Sequence, residues 1–281
     1  MPVTTESAGN SGTRSSRALS RIPKLFSGRK AGRVLSAGAM AVALVTGGTT
    51  VVAPAVAGAQ TSTHAGAGIV LTLGDGSEAL CTLNSVVEKD GTFYGVTAGH
   101  CLSEAEIGSP VVKVSTDSGQ LLADAEDIAA GGVELGGEAN PFDPYAGLDD
   151  VGWFRLDESV TPNDGEVSST AHTGIPVLDD ALRGHSQPLG DPVPVTQNLV
   201  GSIVCKDGTM SGRTCGPVLA VNTDSQEITA LIPAISGDSG SPLHVAGADG
   251  KRHIVGALSN GTPVLFNTFD GTREHLPAVG A

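Results

Sequence analysis

The stretch Gly237-Asp238-Ser239-Gly240-Ser241-Pro242 constrains this chain more than any other. A serine hydroxyl is a weak nucleophile at neutral pH. To attack a carbonyl it needs a base for its proton and N–H donors for the oxyanion that forms. Gly237 has no Cβ, so the backbone two residues before Ser239 is free to turn sharply and set its N–H beside that of Ser239. A chain that uses this serine must fold so that a base is carried to it. Gly, Asp, Ser and Pro are also the usual residues of a polar surface turn, so the hexapeptide alone leaves both readings open.

The chain around it has 281 residues, enough for one large or two small domains with a sizeable core. Only 3% of residues are aromatic, while 39 are Gly and 16 Pro. This predicts many short strands and turns, and no long amphipathic helical period stands out.

Residues 1–59 read as a secretory signal segment. Residues 1–33 are rich in Ser, Thr and Gly and carry seven Lys or Arg; Val34 to Val45 is uncharged and apolar; Ala55-Val56-Ala57 and Ala57-Gly58-Ala59 both fit a small-residue cleavage site. A retained membrane anchor is the alternative, since residues 34–59 are uncharged and could nearly span, but their Gly, Thr and Pro content speaks against it. Residues 1–59 hold seven of the 16 basic and one of the 30 acidic residues, so the remainder carries 9 against 29, a net charge of −20. That excess argues against nucleic acid or an anionic membrane as partner. Four cysteines in an exported chain suggest two disulfides with three possible pairings, of which proximity favours Cys81–Cys101 and Cys205–Cys215; neither pair has the C-x-x-C spacing of a metal site.

Past the leader, Ala65 to Gly68 reads as a lead-in, Ile69 to Leu73 as the first strand, Ala79 to Val87 as a second and Thr92 to Val96 as a third. The third runs into Thr97-Ala98-Gly99-His100-Cys101. Histidine can take and return a proton near neutrality, and a strand end followed by a short turn would hold it rigidly. His64, His172, His185, His244, His253 and His275 sit in no comparable context and read as surface or core filler. Residues 130–148 read as loop. Asp149-Asp150 stands immediately before the apolar run Val151-Gly152-Trp153-Phe154, where an acid can be dry enough to grip an imidazole. Asp150 is the favoured acid and Asp149 its competitor. Residues 157–192 are polar and read as a linker between two halves.

These stretches resemble the chymotrypsin-type serine proteases, whose usual forms at the corresponding places are T-A-A/G-H-C and D-I-A-L-L-R-L. Cys205-Lys206-Asp207-Gly208 to Cys215-Gly216 resembles the C-R-S-G-x-T-T-G-x-x-C-G segment of the secreted bacterial branch, the streptogrisin and α-lytic proteases. The order His100, Asp150, Ser239 is that of the family; subtilisins run Asp–His–Ser and α/β-hydrolases Ser–Asp–His. The resemblance covers about residues 66–270.

It implies an all-β fold of two antiparallel six-stranded barrels, over residues 60–160 and 161–281, with the active site between them. It implies a secreted, monomeric serine endopeptidase acting on protein or peptide substrates, with no metal or organic cofactor, no nucleic acid partner and no stable membrane association. His100 would be the base and then the acid, Asp150 its orienter, and Ser239 the nucleophile. The N–H groups of Gly237 and Ser239 would form the oxyanion hole. Ser259, Asn260 and Gly261 would bind substrate backbone and line the specificity pocket, and Lys206 would pair with Asp238. Leu231 to Ser236 holds no carboxylate, so an apolar side chain of small to medium size is expected before the scissile bond.

Three departures stand out. Ser241 replaces the more usual second glycine, Lys206 replaces an Arg and loses its bidentate fork, and no long folding pro-region lies between leader and first strand. Two other readings share the motifs: a catalytically silent binding or adhesion protein on a protease scaffold, and an esterase with the same triad and a different pocket.

Overall fold

In the computed structural model, which describes residues 61–137, 148–261 and 265–280, the chain passes through short strands with few helical interruptions. The first part comprises β1 (Thr61–Ala65), β2 (Gly68–Leu73), β3 (Glu78–Thr82), β4 (Ser85–Lys89), β5 (Thr92–Thr97), α1 (Glu104–Ile107), β6 (Val111–Thr116), β7 (Leu121–Ala123), α2 (Ala125–Ala129), β8 (Gly132–Gly137) and β9 (Leu148–Arg155). It continues with β10 (Val160–Ser169), α3 (Pro176–Leu182), β11 (Gly184–Pro188), β12 (Ile203–Gly208), β13 (Gly212–Asn222), β14 (Glu227–Leu231), β15 (Pro242–Ala246), β16 (Arg252–Gly261), β17 (Phe266–Asp270) and α4 (Thr272–His275). The expected signal segment lies outside the described residues. No helix among them is long and apolar enough to cross a membrane.

The second half closes into a barrel in the order β12-β13-β14-β17-β16-β15, with every neighbour antiparallel. Closure leaves no free edge. Val204, Val218, Ile228, Ile232, Leu243, Val255, Leu258 and Phe269 fill the interior. Register shifts at Val218/Ala220, Leu243/His244 and Leu258/Asn260 bend the strands into the closed form. The first half is two four-stranded sheets, β3-β2-β6-β7 and β4-β5-β9-β8, packed over one core. Strand β2 alternates strictly, turning Ile69, Leu71 and Leu73 inward against Leu83, Val86, Val114, Leu122 and Phe154. The chain changes sheet at Leu83-Asn84, where the N–H groups bond Ala67 O and Val96 O. The run expected as one strand, Ala79 to Val87, is therefore two.

Other elements differ from the sequence expectations for physical reasons. The expected lead-in Ala65 to Gly68 is mostly a turn between two strands: Ala65 ends β1, which runs parallel to β10 with Thr63 and Ala65 buried, and Gly68 opens β2. The polar stretch 157–192 carries β10 and β11, which join β1 in a three-stranded sheet. Strand β8 lies where a loop was expected. It buries no side chain fully and is held by its ladder to β9, so it carries no hydrophobic period to read. The C-terminal residues fold back, and Val279 joins Tyr94, Val96, Val151 and Trp153 in a separate cluster on the first half.

Both expected disulfides are present. Cys81–Cys101 ties the end of β3 to the turn after β5, with Cα atoms 6.5 Å apart. Cys205 and Cys215 lie directly opposite each other in the β12–β13 hairpin. The first closes a loop of 20 residues, for which a constraint on the unfolded chain of about 3 kcal/mol is expected. The double variant Cys81→Ala/Cys101→Ala is predicted to lose about 2–4 kcal/mol in denaturant unfolding. An unchanged midpoint, or a crossed pairing in a non-reducing peptide map, would contradict this.

Candidate active site

His100 lies in a single 3-10 turn, Gly99–Cys101, that follows β5. Strand β5 pairs with β9, Thr97 opposite Gly152, which brings the end of one strand beside the start of the other. The approach is too close for ordinary side chains. A Cβ at Gly99 would sit 2.9 Å from Glu134 O and 3.1 Å from Asp150 Oδ1, and one at Gly152 3.2 Å from Gly99 Cα. The two glycines therefore let Asp150 reach His100.

Asp150 grips His100 twice. Its Oδ1 accepts the His100 backbone N–H at 2.7 Å, and its Oδ2 lies 2.7 Å from His100 Nδ1. Ser259 Oγ donates to the same Oδ2, and the Asp150 backbone N–H donates to Asp270 Oδ2 at 2.7 Å. Asp150 is 3% exposed. Burial works to raise its carboxyl, but the hydrogen bonds from His100 and Ser259 and the His100 charge outweigh it and hold it below its ordinary value. Asp149 is exposed and lies against Gly136. With Nδ1 donating to Asp150, Nε2 is the ring atom left to face a nucleophile.

Ser239 shares a cleft of about 760 Å³ with His100, Asp150, Ser259 and Asn260. No hydrogen bond joins Ser239 Oγ to His100 Nε2 among the described residues; in ligand-free enzymes such bonds are often long and tighten on substrate. The serine loop is shaped by two glycines in the left-handed region, Gly237 at φ 97° and Gly240 at φ 85°. The N–H groups of Gly237 and Ser239 have no partner among the described residues, while Gly240 N–H bonds Leu258 O and Ser241 N–H bonds Asp238 O. Ser241 is buried and its hydroxyl also donates to Asp238 O, so the extra side chain is absorbed within the turn.

The loop is docked onto the first half of the chain. Ser239 O accepts from Thr82 N–H at 2.7 Å, and Thr82 Oγ1 donates to Gly237 O at 3.0 Å. A Cβ on Gly240 would meet Thr82 O at 2.3 Å. Behind it, Asp238 is fully buried and fully engaged. Oδ1 accepts the N–H groups of Met210 and Ser211; Oδ2 accepts Ile235 N–H, Ser211 Oγ and, at 3.1 Å, the ammonium of Lys206. Lys206 also donates to Ser211 Oγ at 2.6 Å. Burial pushes the Lys206 ammonium down and works to raise Asp238, whose carboxyl is nonetheless held below its usual range by Lys206, Ser211 and the backbone donors.

A second cavity of about 290 Å³ opens beside Ser239, lined by Ala234, Ile235, Ser236, Leu258, Ser259, Asn260, Gly261 and Asn267. No charged residue lines it among the described residues. The three residues expected to bind substrate are thus all at this wall, and Ser259 turns its hydroxyl to Asp150 as well.

Sequence reasoning missed the partners behind the site. His244 is not filler. It is fully buried against Asp207, which also accepts from Ser169 and Arg213 and is lowered to about 2 despite burial. His275 lies between Glu134 and Asp270. No motif marks either: Asp207 and Glu134 come from remote strands, and Asp270, five residues before His275, stands in no recognisable spacing.

The chain matches no family model. Over 117 residues it is 27% identical to an uncharacterised protein of Mycobacterium tuberculosis, known from strains CDC 1551 and H37Rv; the match covers 39% of this chain and 53% of the relative. The chain thus spans about half the length of the curated relatives it matches. Among solved structures it is similar to Thermobifida fusca protease A (TM-score 0.51, 19% identity, 78% of this chain and 96% of that one). A glutamic acid-specific serine protease that uses a histidine triad in substrate binding gives TM-score 0.51 and 22% identity over 77% and 97%. Nocardiopsis protease gives 0.50 and 17% over 78% and 96%. At these identities the likeness is one of fold, the two-barrel chymotrypsin-like fold of bacterial proteases.

The buried pair yields a prediction. Lys206→Met is expected to cost about 3–5 kcal/mol in denaturant unfolding, because it leaves the Asp238 charge uncompensated. A loss under about 1 kcal/mol would show that Ser211 and the backbone N–H groups suffice.

Proposed function

We propose that this protein is a secreted serine endopeptidase. The observation that carries the reading is the double grip of Asp150 on His100, at 2.7 Å to backbone and ring, in a cleft that Ser239 also lines. Residues 60–160 supply His100 and Asp150, and residues 161–281 supply Ser239. In this reading His100 Nε2 takes the Ser239 proton as Oγ attacks the peptide carbonyl, and returns it to the leaving amine. Asp150 fixes the ring's tautomer and stabilises the imidazolium, and the unpartnered N–H groups of Gly237 and Ser239 receive the oxyanion. Water then repeats the sequence on the acyl-enzyme. Two disulfides agree with an exported protein. Asp238 is satisfied from within the chain by Lys206, so the serine loop is held without help from a newly cut N-terminus.

Substrate preference follows from the second cavity. Its described wall is apolar or uncharged, and an ammonium or guanidinium entering it would lose its water without a partner. No histidine lines it either. His244 is committed to Asp207, and His253 to Asp249 and Asp191 O. A carboxylate side chain is therefore as poorly served as a cation. We assign a preference for an uncharged, small to medium apolar residue before the scissile bond.

Two measurements test this. Ser239→Ala is expected to lose on the order of 10⁶ in turnover of casein or a peptide ester, with the fold retained by circular dichroism. Turnover near the wild-type rate would refute the assignment. On peptides differing only before the cleaved bond, Leu, Ala or Phe is expected to be cleaved faster than Arg, Lys or Glu. The reverse order would mean that the pocket carries a charge from elsewhere.

A further inference from the structure

Three carboxylates and one imidazole meet behind the candidate triad. Asp270, at the end of β17, is fully buried. Its Oδ2 accepts the backbone N–H of Asp150 at 2.7 Å and forms an ion pair with His275 Nε2 at 3.0 Å. On its other side, His275 Nδ1 bonds Glu134 of β8. Asp149 adds its negative charge beside Asp270. An imidazole with a carboxylate on each nitrogen satisfies both only when both carry protons, that is, as the imidazolium. Asp149, Asp270 and His275 do bring ligand atoms within 4.8 Å of one another. With both ring nitrogens already taken, however, the proton fills the place a metal ion would need.

The arrangement bears on Asp150 in particular. The pairing of β5 with β9 extends only as far as Gly152, and the Asp150 N–H beyond it bonds Asp270 instead. Glu134 stands opposite Val151 and Leu135 opposite Asp150 in the β8–β9 ladder. The imidazolium thus connects the strand beside Asp150 to the barrel that carries Ser239. It is held in place by the C-terminal residues, whose Val279 is buried against Trp153 and Val151.

We propose that Asp270 and His275 are positioning residues that fix the main chain of Asp150 and so aim its carboxylate at His100. The inference rests on the reading of His100, Asp150 and Ser239 as a triad. Burial, together with the charge of Asp149, pushes Asp270 up from its ordinary value despite the bonds from His275 and the Asp150 N–H. The His275 charge is what keeps it a strong acceptor. The groups facing His275 are Asp270 from β17, Glu134 from β8 and, through Asp270, Asp149 and Asp150 from β9; Arg273 and Glu274 of its own helix point to solvent. Burial opposes the charged ring, but Asp270 and Glu134 overcome it and raise His275 to about 9. A group raised in this way contributes fully below its ordinary value near 6.5, and its contribution is lost as pH climbs through about 9.

The test uses the mature protein with His275→Gln, Asp270→Asn and His275→Lys, the last keeping a cation in place. Turnover is normalised to sites titrated with a fluorophosphonate, and the downfield proton signal of the His100 Nδ1–H is recorded alongside. The expected result for His275→Gln and Asp270→Asn is a kcat about ten- to a hundredfold lower per titrated site. KM should stay within about twofold, the His100 signal should broaden or shift, and His275→Lys should recover part of the loss. A folded His275→Gln with wild-type kcat per site and an unchanged signal would overturn the proposal. If both neutralising variants fail to fold, the wild type decides. A fall in kcat centred near pH 9 before near-ultraviolet circular dichroism changes supports the clamp, and a flat profile to pH 10 overturns it. If the wild type neither turns over substrate nor titrates, the triad reading fails, and the proton signal still reports whether His275 orders Asp150 against His100.

Discussion

A single buried carboxylate, that of Asp238, anchors the reactive end of this molecule. It has no exposure to water and accepts from three backbone N–H groups, the Ser211 hydroxyl and the Lys206 ammonium. Each donor comes from a segment that must already be in place: Lys206 and Ser211 from the β12–β13 hairpin, Ile235 from the approach to the serine. A buried charge short of even one such partner would be costly. The turn carrying Ser239 is therefore free to exist only in the conformation that closes this network. The same conformation leaves the Gly237 and Ser239 N–H groups without partners among the described residues.

Several polar contacts of the site cross the seam between the two halves. Thr82 bonds the serine loop through its backbone and its hydroxyl, Asn84 donates to Gly256 O, and Ser259 reaches across to Asp150. Buried hydrogen bonds of this kind add little net stability but penalise any misalignment, because a separated donor is left dry. They convert two independently cored halves into one register. His100 and Asp150 come from one half and Ser239 from the other, so this register decides whether the three can act together.

The site was far more legible in the sequence than the fold around it. His100, Asp150 and Ser239 sit in short motifs whose residue types are dictated by local chemistry, and Gly99 and Gly237 are required by close approach and backbone sign. The closed barrel was expected from the family resemblance and not from a strand pattern. Strands β8, β10 and β1 were not: β8 turns Val133 and Leu135 to solvent, β10 is polar through its middle, and β1 buries Thr63 and Ala65, so none shows an inward apolar face. His244 and His275 were read as filler for a related reason. What engages them is Asp207 in one case and Glu134 with Asp270 in the other, which is a matter of tertiary placement. Lys206 lay between these extremes: the resemblance to the bacterial branch implied the pairing, and only the packing shows the ammonium sealed from water.

The proposed activity requires Ser239 to be an activated nucleophile and not a loop residue in a silent scaffold. The most direct measurement is reaction of the mature protein with a fluorophosphonate, followed by peptide mass spectrometry to locate the adduct. Stoichiometric phosphonylation of Ser239 alone is expected, lost in His100→Ala and abolished by prior unfolding. Absence of an adduct in the folded protein, or an adduct spread over other serines and indifferent to His100, would contradict it.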